Sequence, residues 1–366
     1  GRTSITVPDT LLALLPLGTW GRNKLDAQLA NRVVGITGSV GKTSTKDFVA
    51  AALGSALRVT ANERSFNNDQ GLPVTILNAK DDVQALVLEM GMRGFGEIAR
   101  LCAVAKPHIG VVTKVASAHT GRVGDLDGVA RAKSELVMAL DASGFAILNA
   151  DDDRVVAMQS LTSARVITYG VAPTADVRMT SCVLDERACA SVTVESPWGK
   201  ASWKMNVPGE HMAHNAVGAI AVAGIVGLDL QLAADAISTS ILSEMRMQHR
   251  IGRSGALIID DSYNANPASI AAALHALNAT HASRRIAVLG VMAELSEPER
   301  DHLQISRLAK QLGIEIIAVE TDMYEVQSQT RDEVVAMLSA AEKTAVILIK
   351  GSRVAQLEKL VSLLIN

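Results

Sequence analysis

Aromatic side chains supply only 3% of the 366 residues, so the core must rest on leucine, valine, isoleucine and alanine. Cysteine is as scarce: Cys102, Cys182 and Cys189 are scattered without metal-ligand spacing. An odd count with no framework of pairs suits a reducing cytosol, so a cytoplasmic location is expected. No charge of one sign accumulates; the net charge is −3 and the pI about 6.3, leaving no electrostatic grip on nucleic acid or an anionic membrane. No apolar run approaches the length of a membrane span. The piece "LLALLPLG" (11–18), broken by Pro16 and preceded by Asp9, reads as a packed helix and not as a signal peptide. What is present, 48% hydrophobic content in a chain of this length, supports a large core divided between two domains.

Short β-branched runs alternate with stretches of helical period from Arg32 to Tyr169. Strands are expected at Val33–Ile36, Ala85–Leu88, Ile109–Thr113, Ala146–Leu148 and Val166–Thr168, with helices around Lys42–Leu57, Gly96–Ala105 and Gly128–Leu140. That alternation predicts an α/β fold with a mainly parallel sheet covered on both faces. From Asp176 to Val207 polar and apolar residues alternate ("SVTVES", "ASWKMNV"), which predicts a small antiparallel addition. Two helices, His211–Val226 and Gln231–Leu242, lead to a second α/β series with strands Ala256–Ile259, Ile286–Leu289, Ile314–Val319 and Ala345–Ile349. The boundary falls near Ser243, giving a central P-loop-type domain over 31–243 and a smaller Rossmann-like domain over 244–366.

Ligands of parallel α/β sheets gather beyond the carboxyl ends of the strands. The first strand runs into "GITGSVGKTSTK" (35–46), where Gly38 and Gly41 let backbone N–H groups turn toward phosphate, Lys42 brings a point charge and Thr43 a magnesium hydroxyl. The strict phosphate-loop pattern wants glycine where Ile36 stands. Glu89 ends the second run; alone it would pass for a strand-end carboxylate, but beside a triphosphate it is a natural Mg²⁺ ligand. His119, in "KVASAHTGRVG", would alone pass for a capped loop histidine. Lys133 is the odd residue: it falls within the apolar stripe of Val129, Leu136, Val137 and Leu140. A lysine there is either neutral, paired, or snorkelling its head to water.

Together these residues resemble the Mur ligase family of ATP-dependent amide-bond ligases. Its phosphate loop, T-G-x-x-G-K-T-[ST], matches Thr37, Gly38, Ser39, Gly41, Lys42, Thr43 and Ser44 and accounts for the missing glycine. The stretches "SFNNDQGLPVTIL", "GVARAKSEL", "GEHMAHNAVGAIAVA", "IDDSYNANPASIAAAL" and "KGSRVAQLE" extend the match over nearly the whole chain. The resemblance implies ATP and Mg²⁺ as cofactors, with Lys42, Glu89, His119 and Lys133 as the catalytic set. Thr43, Glu89, His119 and Lys133 would serve the metals, Lys133 as a carbamate. It further implies that Asn215 reads adenine, that Asp261 holds the ribose, and that Arg246 meets the phosphates, with Arg250 close enough to compete. Ser65, Asn67 and Asn68 would lie on the acceptor side, and Asn264, Asn266, Lys350, Ser352 and Arg353 on the second-domain side of the cleft.

The implied reaction joins D-Ala-D-Ala to UDP-MurNAc-tripeptide through an acyl phosphate, a step of peptidoglycan precursor synthesis by a monomeric enzyme. Residues 1–30 would be the remnant of an N-terminal domain that holds the UDP end of the acceptor. Some positions depart from the pattern: Lys114 stands where an Asn is common, Thr120 and Gly121 replace a Leu-Glu pair, and Val291 replaces an acidic residue. Two alternatives stay open, a folylpolyglutamate-synthetase-like ligase and a nucleotide-binding module without ligase activity.

Overall fold

The structure, a computed structural model, describes residues 6–11, 13–63, 66–116 and 123–365. Two of the candidate residues, Ser65 and His119, lie outside the described residues. Helices α1 (Leu14–Lys24) and α2 (Asp26–Leu29) lead in. Pro16 falls in the first turn of α1, where a missing N–H costs little, so the proline opens the helix instead of breaking it.

An alternating series follows: β1 (Val33–Thr37), α3 (Lys42–Gly54), β2 (Val59–Ala61), α4 (Gly71–Leu77), β3 (Ala85–Glu89), α5 (Glu97–Ala105), β4 (Ile109–Val112), α6 (Leu126–Met138), β5 (Phe145–Asn149), α7 (Asp153–Ala157) and β6 (Arg165–Gly170). Strands β7 (Val177–Leu184), β8 (Cys189–Ser196) and β9 (Gly199–Pro208) and helices α8 (Glu210–Val226) and α9 (Leu230–Ser238) complete this lobe. Its strands form one sheet in the order β2-β3-β1-β4-β5-β6-β7-β8-β9. The expected antiparallel addition is present and extends the main sheet: β7 pairs parallel with β6, β8 lies antiparallel between β7 and β9, and β9 therefore runs in the direction of β7. Every residue of β1, β3 and β4 is buried, which is why these strands read as unbroken apolar runs. One face packs against α3, α8 and α9, the other against α4, α5 and α6.

The second lobe contains β10 (Gln248–Ile251), β11 (Leu257–Asp260), α10 (Pro267–Asn278), β12 (Arg285–Leu289), α11 (Pro298–Gln311), β13 (Glu315–Val319), β14 (Ser328–Gln329), α12 (Arg331–Ser339), β15 (Val346–Lys350) and α13 (Glu358–Ile365). Its sheet order is β10-β11-β15-β12-β13-β14, parallel except for β10 against β11. The α/β expectation therefore holds for both lobes. The strands that sequence patterning missed, β2, β10 and β14, are edge strands too short to show a period. Among the described residues no helix is long and apolar enough to cross a membrane.

The lobes share apolar matter. One core cluster runs from Phe48, Val217 and Leu242 in the first lobe to Ile259, Leu274 and Leu289 in the second. A polar tie reinforces it at the crossing: the Asp47 carboxylate on α3 accepts from the Ser243 amide at 2.7 Å and from its hydroxyl at 3.2 Å. Lys46 holds that carboxylate at 2.9 Å. Asp47→Ala removes both acceptors, so a loss of about 1–3 kcal/mol in urea unfolding is expected. Faster proteolytic cutting near 243 should accompany it, and unchanged resistance would show that the apolar core alone holds the lobes.

Candidate active site

The phosphate loop is bolted to the end of β4. Ser39 N donates to Lys114 O at 2.6 Å, Ser39 Oγ donates to Ala116 O at 2.9 Å, and Thr113 Oγ1 donates to Val40 O at 2.6 Å. Thr113 was expected to end the strand; its hydroxyl turns to the loop instead, and β4 stops one residue earlier. A side chain at Gly38 would come within 1.9 Å of Thr113 Oγ1, and one at Gly41, whose φ is +84°, within 2.5 Å of Asn215 Oδ1. These close approaches explain both glycines. Ile36, where the common pattern has glycine, is a fully buried member of β1. Thr37 is likewise buried and donates to Met90 O at 2.9 Å, so it supports the loop from below.

Glu89 ends β3 directly beneath α3. The carboxylate is 1% exposed; Oε2 accepts from Thr43 Oγ1 at 2.8 Å and Oε1 from Asn67 Nδ2 at 2.7 Å. Its amide donates to Asn62 Oδ1 at 2.6 Å. Asn67 thus braces the carboxylate, while Asn68 Oδ1 accepts from Gly71 N, the first residue of α4, at 2.9 Å. Lys133 reaches the same gap from α6 and is 2% exposed. Burial, and then the neighbouring Lys42 charge, hold its ammonium far below the usual lysine range, which favours the neutral amine. Lys42 itself donates to Gly38 O at 2.9 Å. Burial lowers its pKa, Glu89 opposes the shift, and Arg246 adds to it.

Arg246 crosses from the junction between the lobes, and its Nη2 donates to Thr43 Oγ1 at 3.2 Å. Arg250 lies on β10, exposed and bonded to Gln248, so of the two competing arginines the gap receives Arg246. Between the lobes lies a cavity of about 540 Å³ whose lining includes Lys42, Glu89, Lys133, Asn264, Asn266 and Arg353. Asn266 also caps α10 with Ser269, its Oδ1 accepting from Ser269 N at 2.9 Å. A second cavity of about 460 Å³ adjoins it, walled by Gly41, Tyr169, His211, Asn215, Asp261 and Lys350. Lys350 pairs with Asp261 and donates to Asn264 O at 3.0 Å, so it faces this second cavity. Ser352 is a correction to the expected cleft residues: it is 2% exposed, and its hydroxyl and amide both donate to Val291 O. It fastens two loops of the second lobe.

The donor set suits a nucleotide with a hard cation. Thr43 and Glu89 offer two oxygens, and Mg²⁺ ordinarily takes one or two carboxylates and completes its shell from phosphate and water. Among the described residues no cluster of three His, Cys, Asp or Glu side chains is arranged to hold a metal by protein ligands alone. Burial drives the His211 imidazole down to about 4, leaving it neutral beside the Asp261–Lys350 pair. Sequence patterning missed the wall formed by Tyr169, Asp151 and His214, because nothing in their spacing connects β5, β6 and α8. Asn62 was missed for the same reason.

Lys133→Met replaces the buried amine with an apolar chain of similar length and should stabilise the fold by about 1–2 kcal/mol in urea unfolding at pH 7. Because the folded-state pKa is depressed, the unfolded chain binds the extra proton, and wild-type stability rises with pH until about 10.4, the unperturbed value. The variant's advantage should therefore shrink between pH 7 and 9.5 in CO₂-free buffer. An advantage that does not change with pH would mean the amine is protonated in the fold.

The Mur ligase middle domain matches residues 36–223, and the Mur ligase glutamate ligase domain matches residues 245–353. UDP-N-acetylmuramoyl-tripeptide–D-alanyl-D-alanine ligase of Mycobacterium bovis is 42% identical over 294 residues, covering 78% of this chain and 58% of its own length. The Escherichia coli ligase of the same name is 32% identical over 377 residues, 98% of this chain and 81% of its own. The crystal structure of MurF from Acinetobacter baumannii superposes with a TM-score of 0.90 at 29% identity, covering 98% of this chain and 81% of that one. The chain thus spans about 58% of the length of the mycobacterial relatives it matches. A match that passes through both lobes in order, across the crossing at Arg246, makes this chain a member of the Mur ligase family.

Proposed function

We propose that the chain carries an ATP-dependent, ADP-forming ligase that joins D-Ala-D-Ala to UDP-MurNAc-tripeptide in the cytoplasm, acting as a monomer in peptidoglycan precursor synthesis. The observation that carries this reading is the hydrogen bond from Arg246 to Thr43 across the junction. It aims the phosphate end of one lobe at a wide gap whose far wall is the other lobe, giving room for an acceptor and an amine together. A kinase or GTPase built on the same loop leaves Lys133 and the second lobe without a task. The similarity to named ligases over both lobes supports the same reading.

ATP with Mg²⁺ supplies the phosphoryl group that activates a peptide carboxylate as its acyl phosphate. In this reading Lys42 and the loop N–H groups hold the phosphates and offset the charge that develops during transfer. Thr43 and Glu89 would hold the cation. Lys133, kept neutral by burial, is in the form that combines with CO₂, its nitrogen bonding the carbon and releasing one proton to water, and the resulting carbamate would turn a misplaced amine into an anionic oxygen ligand. Asn215 and Asp261 would hold the nucleoside in the second cavity, and Arg246 the phosphate end. Asn264, Asn266 and Arg353 would line the path of the amine, whose nitrogen attacks the acyl carbon as phosphate leaves. Approach of the lobes excludes water that would hydrolyse the activated acid.

The test is ADP release from MgATP and UDP-MurNAc-tripeptide, with and without D-Ala-D-Ala, on this chain and on a version extended at its N-terminus. Release that requires the dipeptide, with the amide found by mass spectrometry, is expected. Stimulation by glutamate with a folate acceptor would favour the folylpolyglutamate-synthetase-like alternative, and nucleotide binding without turnover would favour the inactive module. Lys133→Met should lower turnover by about a hundredfold or more, the scale of losing one electrostatic contact to the reacting phosphate.

A further inference from the structure

Arg246 occupies an unfavourable place. It lies close enough to Lys42 to help depress that ammonium, so two cations share one end of the gap. Its Nε is buried and, among the described residues, has no hydrogen-bond partner, while Nη2 is engaged with Thr43. Something else must hold the guanidinium there. The ring of Tyr263 lies against it, with Arg246 Cζ 4.2 Å from the ring centroid. The negative face of an aromatic ring attracts a guanidinium, and more strongly where water is excluded.

The backbone around this stack is organised to the same end. Tyr263 N donates to Met245 O at 3.4 Å and Met247 N donates to Asp261 Oδ1 at 3.3 Å, so the 261–263 segment grips the chain on both sides of Arg246. Met245 and Met247 both take left-handed φ, +60° and +51°, a conformation that costs energy in residues with side chains. Arg353 approaches the same ring at 5.9 Å and is fastened to Glu358 at 3.1 Å. A strained turn thus directs Arg246 toward Thr43, and an aromatic shelf belonging to the second lobe meets it there.

We propose that Tyr263 is a positioning residue for nucleotide binding, its ring fixing the Arg246 guanidinium beside Thr43 at the phosphate end of the gap. The inference rests on the reading of the gap as a nucleotide site and adds to it a residue that acts through Arg246. The second lobe then contributes to nucleotide affinity through a side chain that need not touch the nucleotide.

Calorimetric titration with MgATP tests this on the full chain in five forms: wild type, Tyr263→Phe, Tyr263→Leu, Arg246→Met, and the double variant Tyr263→Leu with Arg246→Met. Tyr263→Leu should weaken ATP binding roughly tenfold, within the range of a desolvated cation–ring contact. Tyr263→Phe, which keeps the ring face, should stay within about threefold of wild type. In the Arg246→Met background, Tyr263→Leu should change affinity by less than about twofold, because the partner through which it acts is gone. An equal loss in both backgrounds would overturn the proposal, as would Phe behaving like Leu. Absence of ATP binding by the wild type would instead overturn the functional reading, and the inference with it.

Discussion

The Glu89 carboxylate is the fixed point around which the gap is assembled. Buried at the end of β3, it accepts from Thr43 on α3 and from Asn67 between β2 and α4, while its own amide donates to Asn62. Helix α3 and the stretch after β2 that carries Asn62 and Asn67 therefore meet at the end of β3. A carboxylate so enclosed needs these donors, since desolvation without them would be far more costly than the bonds return. Through Thr43 the same network extends to Arg246, and so into the other lobe.

Around that anion the structure collects basic side chains. Lys42, Arg246 and the amine of Lys133 line one cavity, and Lys350 lines its neighbour, paired with Asp261. Burial lowers the pKa of each of these lysines, and for Lys350 the Asp261 charge opposes the shift. A protein gains no stability from burying basic groups together in this way. The arrangement suits anionic ligands that would neutralise the charge when they bind. The shared apolar core and the Asp47 tie to Ser243 keep the two walls opposed while the strained turn at Met245 and Met247 carries Arg246 between them.

Much of this was legible in the residues. The apolar runs of β1, β3 and β4 announced buried parallel strands, and the glycine loop after β1 announced phosphate. Lys133 stood out because it interrupts a helical stripe, and it is indeed buried. Ser352 misled because its position after β15 suggested the cleft, whereas its hydroxyl is spent on Val291. The choice between Arg246 and Arg250 could not be made from spacing: the turn at Met245 and Met247, ahead of β10, carries Arg246 to Thr43, while Arg250 lies exposed on β10. Tyr263 gave no signal, since an aromatic beside a turn becomes informative only when a cation is seen against its face.

Periodicity and strand-end chemistry by themselves determined the α/β class and the placement of the glycine loop and Glu89 at the carboxyl ends of the strands, because each depends on local spacing along one element. Which groups meet was decided only by tertiary structure. The Glu89–Thr43–Arg246 chain, the Asp261–Lys350 pair and the continuous core between the lobes join positions separated by tens to hundreds of residues. Such contacts depend on how sheets twist and helices cross, and no pattern within a single segment encodes that geometry.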